Sequence, residues 1–430
     1  MKIVYVTHRY WPYPGGSEKY VQEMSERFVR EGDSVQVITT DAWDIEHFFS
    51  RGSKSINKPD EVHNGVPIKR VPARKFPFHK HTSRLLSAYP SLGAKALFRR
   101  PSPFVPSLSR ELKKHCDADI IHSSAFSYDS LMYTSHAFAT RHDIPFAITP
   151  FVHFGEPREA LRISTLLTSP EISVLQRSDL VIAQTNLEKL ALCRLPLPPG
   201  KIAVLGMGVN PEEVTGGDGN RFRVKHNISP TDTVILHVAE QSYLKGSIHL
   251  VEAVKRIKPR VNRIRIVFAG TSMRNFRKYM DIQEKDILDA CIFIDIISGQ
   301  EKKDAFDACD IYAMPSKTDT FGIVYLEAWL AKKPVIGAMA GGVPDVVSDG
   351  VDGFLVPYGN IYMLADYLWK LIHNKELRDT MGENGYQKVL QFHTWDKKYN
   401  KIKRLFIDLI DRKSSSGKCP QLPSNPEIQG

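Results

Sequence analysis

The stretch "PSKTDTFGIVYLEAW", Pro315 to Trp329, decides how this 430-residue chain is expected to fold. The run "IYAMP" at its start predicts a strand, "SKTDT" a loop, and "GIVYLEAWLAKK" a helix. A strand that leads through a short loop into a helix is a unit of a parallel α/β sheet. The helix start would present backbone amides at the positive end of its dipole, where phosphate binds well. These are the amides of Thr320, Phe321, Gly322 and Ile323.

Two carboxylates flank this predicted anion site, Asp319 in the loop and Glu327 in the helix. A carboxylate repels phosphate, but it accepts hydrogen bonds from the hydroxyls of a sugar or a ribose. The pattern therefore suits a nucleoside diphosphate sugar. The alternative is that Asp319 caps the helix and Glu327 faces solvent, and the spacing alone leaves both interpretations open.

Three glycine-containing turns favour the ligand interpretation. Gly15–Gly16 follows the first predicted strand and precedes a helix, so its amides can offer a second anion site. Lys245 stands before Gly246 at another helix start, where it can neutralise a diphosphate. Gly341–Gly342 precedes a third helix. The alternatives are plain turns and a solvated lysine.

Two successive series of strand and helix signals predict the fold class, which is α/β with two doubly wound Rossmann-like domains facing each other across a cleft. The first series opens with "KIVYVT", a helix capped by Ser17, and "SVQVITT"; the second opens with "TVILHVA". The turn-rich stretch "EEVTGGDGNRF" is expected to link the domains. We predict domains over residues 1–212 and 213–392, a helix over 393–413 that returns to the first domain, and a disordered tail over 414–430.

The net charge of +10 comes from one segment, residues 66–115. This segment contains twelve Lys and Arg against the single acid Glu111, whereas the rest of the chain has 46 basic and 47 acidic residues. Aromatic and leucine side chains alternate with the bases, which suits an anionic membrane surface. The alternative is a solvated basic loop beside the cleft. No nucleic-acid-binding motif is recognisable, so we expect no nucleic acid partner.

Other classes of site lack their sequence signatures. We find no GxGxxG followed by the expected acid, no GxxxxGK[ST], no GxSxG, no HExxH and no DxDxDG loop, so we expect neither a dinucleotide nor a metal. Five cysteines without a close pair suggest reduced thiols. We expect no signal peptide and no membrane span, and a location in the cytoplasm, either free or peripheral on a membrane.

At this point the sequence resembles the GT-B nucleotide-sugar glycosyltransferases of the large retaining family four. The matching blocks include "YWPYPGGSEKYVQEMSERF", "TPFVHFGE", "SDLVIAQT", "LKGSIHLVEA", "PSKTDTFGIVYLEAWLAKKPVIGAMAGGVPDVV" and "FHTWD". Their order and spacing are more specific than any one of them. In this family the first domain receives the acceptor and the second binds the nucleotide sugar.

The resemblance implies a role for each matching residue. The Gly16 amide would contact the donor phosphate and His153 the transferred sugar. Lys245 would pair with the diphosphate. Asp319 would contact the donor sugar hydroxyls, and Glu327 the ribose. It also implies front-face transfer with retention, without a metal or another cofactor, in which the leaving phosphate takes the acceptor proton.

The chain departs from the family pattern at two positions. Ala239–Glu240 stands where the family has Gly-Arg, and that arginine helps the lysine hold the diphosphate. Asp319 replaces the usual glutamate and is one methylene shorter.

The expected function is transfer of a sugar from a nucleoside diphosphate sugar to an acceptor hydroxyl. The basic aromatic segment, residues 66–115, favours a lipid-linked or membrane-held glycan acceptor. The main alternative, suggested by Glu240 and Asp319, is a non-catalytic protein that binds the sugar nucleotide. A sugar-nucleotide epimerase ranks below both.

Overall fold

Two parallel β-sheets with helices packed on them make up the protein. The computed structural model describes residues 1–416 except 14, 44, 49–53, 75–103, 125–127, 156–162 and 262. The predicted fold class, two doubly wound α/β halves, is confirmed.

The strands of the first half form one sheet in the spatial order β3-β4-β2-β1-β5-β6-β7-β8 within the described residues. Neighbouring strands are parallel except for the antiparallel pair β3 and β4. The strands are β1 Lys2–Val6, β2 Ser34–Thr40, β3 Asp60–His63, β4 Val66–Val71, β5 Ile120–Ser124, β6 Phe146–Thr149, β7 Leu180–Ala183 and β8 Ile202–Val204.

The strands of the second half form an all-parallel sheet in the order β11-β10-β9-β12-β13-β14. The order reverses between β9 and β12, and such a switch point leaves a crevice at the carboxyl ends of the strands. The strands are β9 Thr233–Val238, β10 Ile264–Ala269, β11 Cys291–Ile294, β12 Ile311–Met314, β13 Val335–Ala338 and β14 Gly353–Val356.

Helices connect the strands in both halves. In the first half the described helices are Gly16–Arg30, Leu108–Leu112, Asp129–Arg141, Ile163–Leu166, Ser169–Arg177 and Asn186–Leu192. In the second half they are Gly219–Lys225, Ser247–Ile257, Arg274–Met280, Lys285–Ala290, Gly299–Ala308, Ile323–Leu330, Val343–Val346, Ile361–His373, Lys375–Phe392 and Trp395–Ser416. None of them is long and apolar enough to cross a bilayer.

The first helix, Gly16–Arg30, buries the face that its apolar spacing predicts. Tyr20, Val21, Met24 and Phe28 are all fully buried against β1 and its neighbours. The prediction that Ser17 caps this helix is wrong. Gly15 occupies the N-cap, and the Ser17 hydroxyl donates to the Glu18 carboxylate at 2.8 Å.

Part of the basic segment, residues 66–115, is a strand rather than a loop. β4 pairs with β2, and Arg70 within it is buried. Arg70 forms an ion pair with Glu61 at 2.8 Å, and the Lys69 ammonium lies 2.8 Å from Asp60. These two bases are therefore not available to a membrane. Residues 75–103 of the segment lie outside the described part of the chain.

The last helix, Trp395–Ser416, packs back onto the first half. Phe406 stacks on Phe28 with ring centroids 5.8 Å apart, and Tyr399 contacts the same ring edge-on at 4.9 Å. The helix continues three residues into the segment predicted to be a disordered tail. Residues 417–430 lie outside the described part.

Candidate functional site

The loop after β12 exposes the amides that the sequence singled out. Gly322 has a φ of 86°, a left-handed conformation that suits glycine, and it caps the helix that begins at Ile323. None of the four amides from Thr320 to Ile323 donates a hydrogen bond to a described residue. They form an open set of donors at the positive end of the helix.

Asp319 and Lys245 pair with each other in this structure. The Lys245 ammonium lies 3.0 Å from both carboxylate oxygens of Asp319. Burial raises the pKa of the Asp319 carboxyl, but the Lys245 charge and a hydrogen bond from Ser316 outweigh it, so the net pKa lies below its ordinary value. Asp319 is thus a carboxylate near neutral pH, and it holds the Lys245 ammonium beside the loop after β12.

Glu327 is buried in the helix and is not a solvent-facing residue. One carboxylate oxygen accepts a hydrogen bond from Lys302 at 2.6 Å, and the other is buried with no partner among the described residues. A buried carboxylate oxygen without a donor is costly. A ligand hydroxyl would supply the missing donor. Sequence analysis did not identify Lys302, because its partner lies 25 positions away.

The first half contributes Gly15 and Gly16, opposite the Ile323 helix. A Cβ on Gly16 would meet only Ile323 Cδ1, at 3.9 Å, so open space lies above this residue. A Cβ on Gly15 would lie 2.1 Å from the Glu18 carboxylate. The glycine turn of one half and the helix start of the other therefore face each other across the cleft.

The Glu18 carboxylate packs against Gly15 of this glycine turn. It lies 2.7 Å from Arg9 and 3.1 Å from His8, and all three side chains are buried. Burial tends to raise the pKa of Glu18, but His8 and Arg9 lower it to about 2. The charges of Arg9 and Glu18 therefore neutralise each other inside the protein. The sequence did not single out this cluster.

His153 lies where the two halves meet. Its Nδ1–H donates to the Thr318 carbonyl at 3.3 Å, one residue before Asp319. The side chain is exposed to the cleft, although protein atoms surround much of it. This burial is the main cause that lowers the His153 pKa, so the ring is neutral at pH 7. Because Nδ1 carries the proton, Nε2 remains an acceptor for a hydroxyl.

Gly341 and Gly342 hold the Asp319 loop. Gly341 has a φ of 59°, and a Cβ there would lie 2.0 Å from the Asp319 carbonyl oxygen. That oxygen accepts a hydrogen bond from the Gly342 amide at 2.7 Å. The Gly341 amide donates to Gly155 of the first half at 2.6 Å. This turn supports the site and links it to the His153 loop.

Glu188 holds the His153 loop from the other side. Its two carboxylate oxygens accept hydrogen bonds from the Val152 amide at 2.8 Å and the Gln184 amide at 2.7 Å. Burial raises the pKa of this carboxyl to about 7, although both amide donors oppose the rise. Glu188 is a third buried acid near the cleft, and sequence reasoning missed it.

Glu240, which stands at the family's arginine position, lies just after the carboxyl end of β9. It is exposed and forms no ion pair with a described residue. No compensating arginine contact therefore appears at this position.

The structure brings His153, Lys245 and Asp319 together and sets Gly16 opposite the open amides. Glu327 stands further along the same helix. The assigned roles stay predictions. Together these groups present amide donors, one ammonium and several acceptors, which suits an anion bearing hydroxyls. Within the described residues no cluster of three or more His, Cys, Asp or Glu is arranged to hold a metal ion.

Two family models match adjoining parts of the chain. Glycosyltransferase Family 4 matches residues 14–213, and Glycosyl transferases group 1 matches residues 218–388. The chain belongs to glycosyltransferase family 4, whose members have the GT-B fold, and it is a glycosyltransferase.

Known proteins agree with this placement. The D-inositol 3-phosphate glycosyltransferase of Stackebrandtia nassauensis is 31% identical over 257 residues, which are 57% of this chain and 58% of that protein. Anabaena Alr3699/HepE in complex with UDP-glucose superposes with a TM-score of 0.69 at 17% identity, over 95% of this chain and all of that one. WaaG, a glycosyltransferase involved in lipopolysaccharide biosynthesis, superposes with a TM-score of 0.66 at 15% identity, over 94% of this chain and 99% of that one. The structural likeness concerns the fold alone.

Proposed function

We propose that this family 4 glycosyltransferase transfers a sugar from a nucleoside diphosphate sugar to an acceptor hydroxyl with retention of anomeric configuration. The observation that carries the proposal is that the glycine turn of one half faces, across the cleft, the helix start of the other, where the amides of Thr320 to Ile323 donate to no described residue. The Gly16 turn faces the Ile323 helix start, and Lys245 lies beside them. A diphosphate between them would receive hydrogen bonds from both halves and charge from Lys245.

The hydroxyl-bearing ends of such a donor have acceptors on either side. His153 Nε2 and the Asp319 carboxylate would receive sugar hydroxyls, and the free oxygen of Glu327 would receive a ribose hydroxyl. To engage the diphosphate, Lys245 would share its protons between Asp319 and the phosphate, which its three donors allow. The UDP-glucose held by the related fold supports a donor of this chemical class.

In the proposed reaction the bond from the anomeric carbon to the leaving diphosphate breaks, and the acceptor oxygen bonds to that carbon on the same face. The acceptor proton passes to the leaving phosphate oxygen. Negative charge builds on the diphosphate, so Lys245 and the amides of Gly16 and Thr320 to Ile323 would stabilise the transition state. The protein supplies this positive charge itself, and the proposal includes no metal.

We further propose that the acceptor is a lipid-linked or membrane-held glycan, reached by the enzyme as a peripheral protein on the cytoplasmic face of a membrane. The basic and aromatic composition of residues 66–115 supports this, and so does the lipopolysaccharide pathway of a protein with the same fold. Sedimentation with anionic vesicles at low and high salt tests it. Binding that salt weakens is expected, and no binding at low salt would refute the membrane part.

A panel of sugar nucleotides and nucleoside diphosphates tests the donor. We expect nucleotides with one particular base to raise the melting temperature more than the others. The sugar nucleotide with that base should be consumed when an acceptor extract is added. Stabilisation without hydrolysis or transfer would instead favour the non-catalytic sugar-nucleotide-binding alternative. No stabilisation by any member of the panel would contradict the proposed function.

A further inference from the structure

The residues that fix Lys245 in place form a buried hydrogen-bond chain that starts at His237. His237 lies near the end of β9 and is fully buried. Its Nδ1 lies 2.8 Å from the Ala313 carbonyl oxygen of the neighbouring β12. A carbonyl oxygen only accepts, so Nδ1 carries a proton.

The other ring nitrogen continues the chain towards the loop. Burial lowers the pKa of His237 to about 4, so the ring is neutral at pH 7 and Nε2 is an acceptor. The Ser247 hydroxyl lies 3.0 Å from Nε2 and donates its proton to it. The lone pairs of that hydroxyl are then free, and they accept the Ser242 amide at 3.1 Å. The donor and the acceptor of each hydrogen bond in this chain are therefore fixed.

The loop that ends at Lys245 closes on this chain. The Ser242 hydroxyl accepts the Lys245 amide at 3.3 Å, and the Ser242 carbonyl accepts the Ser247 amide at 3.1 Å. Gly246 between them has a φ of 77°, and a Cβ there would lie 2.3 Å from the Pro315 carbonyl oxygen. The loop therefore sits directly against the strand that leads to Asp319.

β9 and β12 each lead into one of the two loops that carry the Lys245–Asp319 pair. The His237 side chain joins the end of β9 to the backbone of β12, and the Tyr312 hydroxyl of β12 makes a second link by donating to the Val238 carbonyl at 3.3 Å. A change in its hydrogen bonds would shift the Lys245 backbone relative to Asp319. A small displacement of the Lys245 ammonium from a charged ligand would weaken their interaction strongly.

We propose that His237 and Ser247 are positioning residues that place Lys245 for the diphosphate. This rests on the proposed function, since it assumes that Lys245 meets a diphosphate. Neither side chain touches the ligand in this account. Their effect would pass entirely through the Ser242–Lys245 loop.

The test is a double-mutant cycle between Ser247→Ala and Lys245→Ala. Binding of UDP, GDP, ADP and dTDP is measured by calorimetry, and the cycle is run with the diphosphate that wild type binds most tightly. Ser247→Ala removes one hydroxyl and almost no volume. We expect it to weaken binding about fivefold, the effect of one buried hydrogen bond. In the Lys245→Ala background it should have no further effect.

Ser242→Ala and Ser135→Ala complete the design. Ser242→Ala removes the hydroxyl that accepts the Lys245 amide and should weaken binding in the same way. Ser135 is a matched control, a buried serine of the first half whose hydroxyl bonds to the Leu131 carbonyl at 2.7 Å. Its alanine variant should lower the melting temperature by a similar amount but leave the affinity unchanged.

The outcomes separate the two claims. If wild type binds none of the four diphosphates, the proposed function fails and this inference fails with it. If wild type binds but Ser247→Ala matches Ser135→Ala in affinity, His237 and Ser247 are structural only. An equal loss with and without Lys245 would also overturn the positioning role.

Discussion

The two halves of the protein differ in how far their charged side chains at the cleft are buried. In the first half the Arg9 and Glu18 side chains near the glycine turn are buried against each other, and the described groups beside the cleft include the turn amides and a neutral His153. In the second half the charged pair Lys245–Asp319 is partly exposed, with 28% and 17% of the two side chains accessible. The difference suggests that the second half supplies the charged contact to the donor diphosphate and the first half supplies uncharged donors and acceptors. Removing the ammonium of the second half should therefore weaken diphosphate binding most, and removing the neutral His153 of the first half should lower turnover alone.

The largest effect is expected for Lys245→Ala. Removing the ammonium should reduce transfer about 1000-fold and weaken nucleotide binding, because charge on the leaving diphosphate loses its counter-charge. Asp319 then lacks its cation, which should cost about 1 kcal/mol of stability. Transfer assays, calorimetry and melting curves measure the three effects. Lys332→Ala, which removes an exposed lysine paired with Glu383, is the control. Wild-type turnover in Lys245→Ala would refute its role.

Gly16→Ala tests the glycine turn of the first half. The added methyl has room in the ligand-free protein, so the melting temperature should not fall. It would stand where the diphosphate approaches, and kcat/KM should fall about 100-fold. Gly15→Ala provides the contrast, because its methyl meets the Glu18 carboxylate and should destabilise the fold. If Gly16→Ala retains full activity, the glycine turn does not contact the donor.

His153→Ala should lower kcat about tenfold and leave the affinity for the nucleoside diphosphate unchanged, because only a hydrogen bond to the sugar is lost. Steady-state kinetics and calorimetry separate the two quantities. His142→Ala, at an exposed histidine of the first half, is the matched control. A fall in diphosphate affinity equal to the fall in kcat would show that His153 contacts the diphosphate rather than the sugar.

The remaining effect is on stability alone and comes from Glu188. Its pKa of about 7 in the folded protein lies above the ordinary 4.5, so folding favours the protonated form. The stabilisation is complete below about pH 4.5 and is lost as the pH rises towards 7, by about 3 kcal/mol. Urea unfolding of wild type and Glu188→Gln from pH 5 to 8 measures it. The gap between them should change with pH, and a constant gap would contradict the raised pKa.

The sequence predicted the two α/β halves because their strands are short apolar runs between clear turns. It also identified the residues that lie in glycine turns and helix starts, namely Gly16, Lys245 and Asp319, since these positions follow directly from the strand–loop–helix pattern. It missed Glu188 and Lys302. Their partners are distant in sequence, and a buried acid on a helix has no periodic signature that marks its contacts.

The errors have similar causes. Ser17 resembled a helix cap, but the helix begins at Gly16 with Gly15 at the N-cap, where a Cβ would clash with the Glu18 carboxylate. The basic segment from residue 66 was expected to be a membrane-binding surface or, alternatively, a solvated loop, yet β4 runs through its start. A buried arginine such as Arg70 reads as a surface charge until its partner Glu61 on the adjacent strand is known.

The most direct measurement is the crystal structure of the protein with the sugar nucleotide that stabilises it most. The account predicts the diphosphate between the Gly16 amide and the amides of Thr320 to Ile323, within hydrogen-bond distance of Lys245. The ribose would lie at Glu327. A nucleotide bound elsewhere, or bound in the cleft with Lys245 still paired only to Asp319, would contradict it.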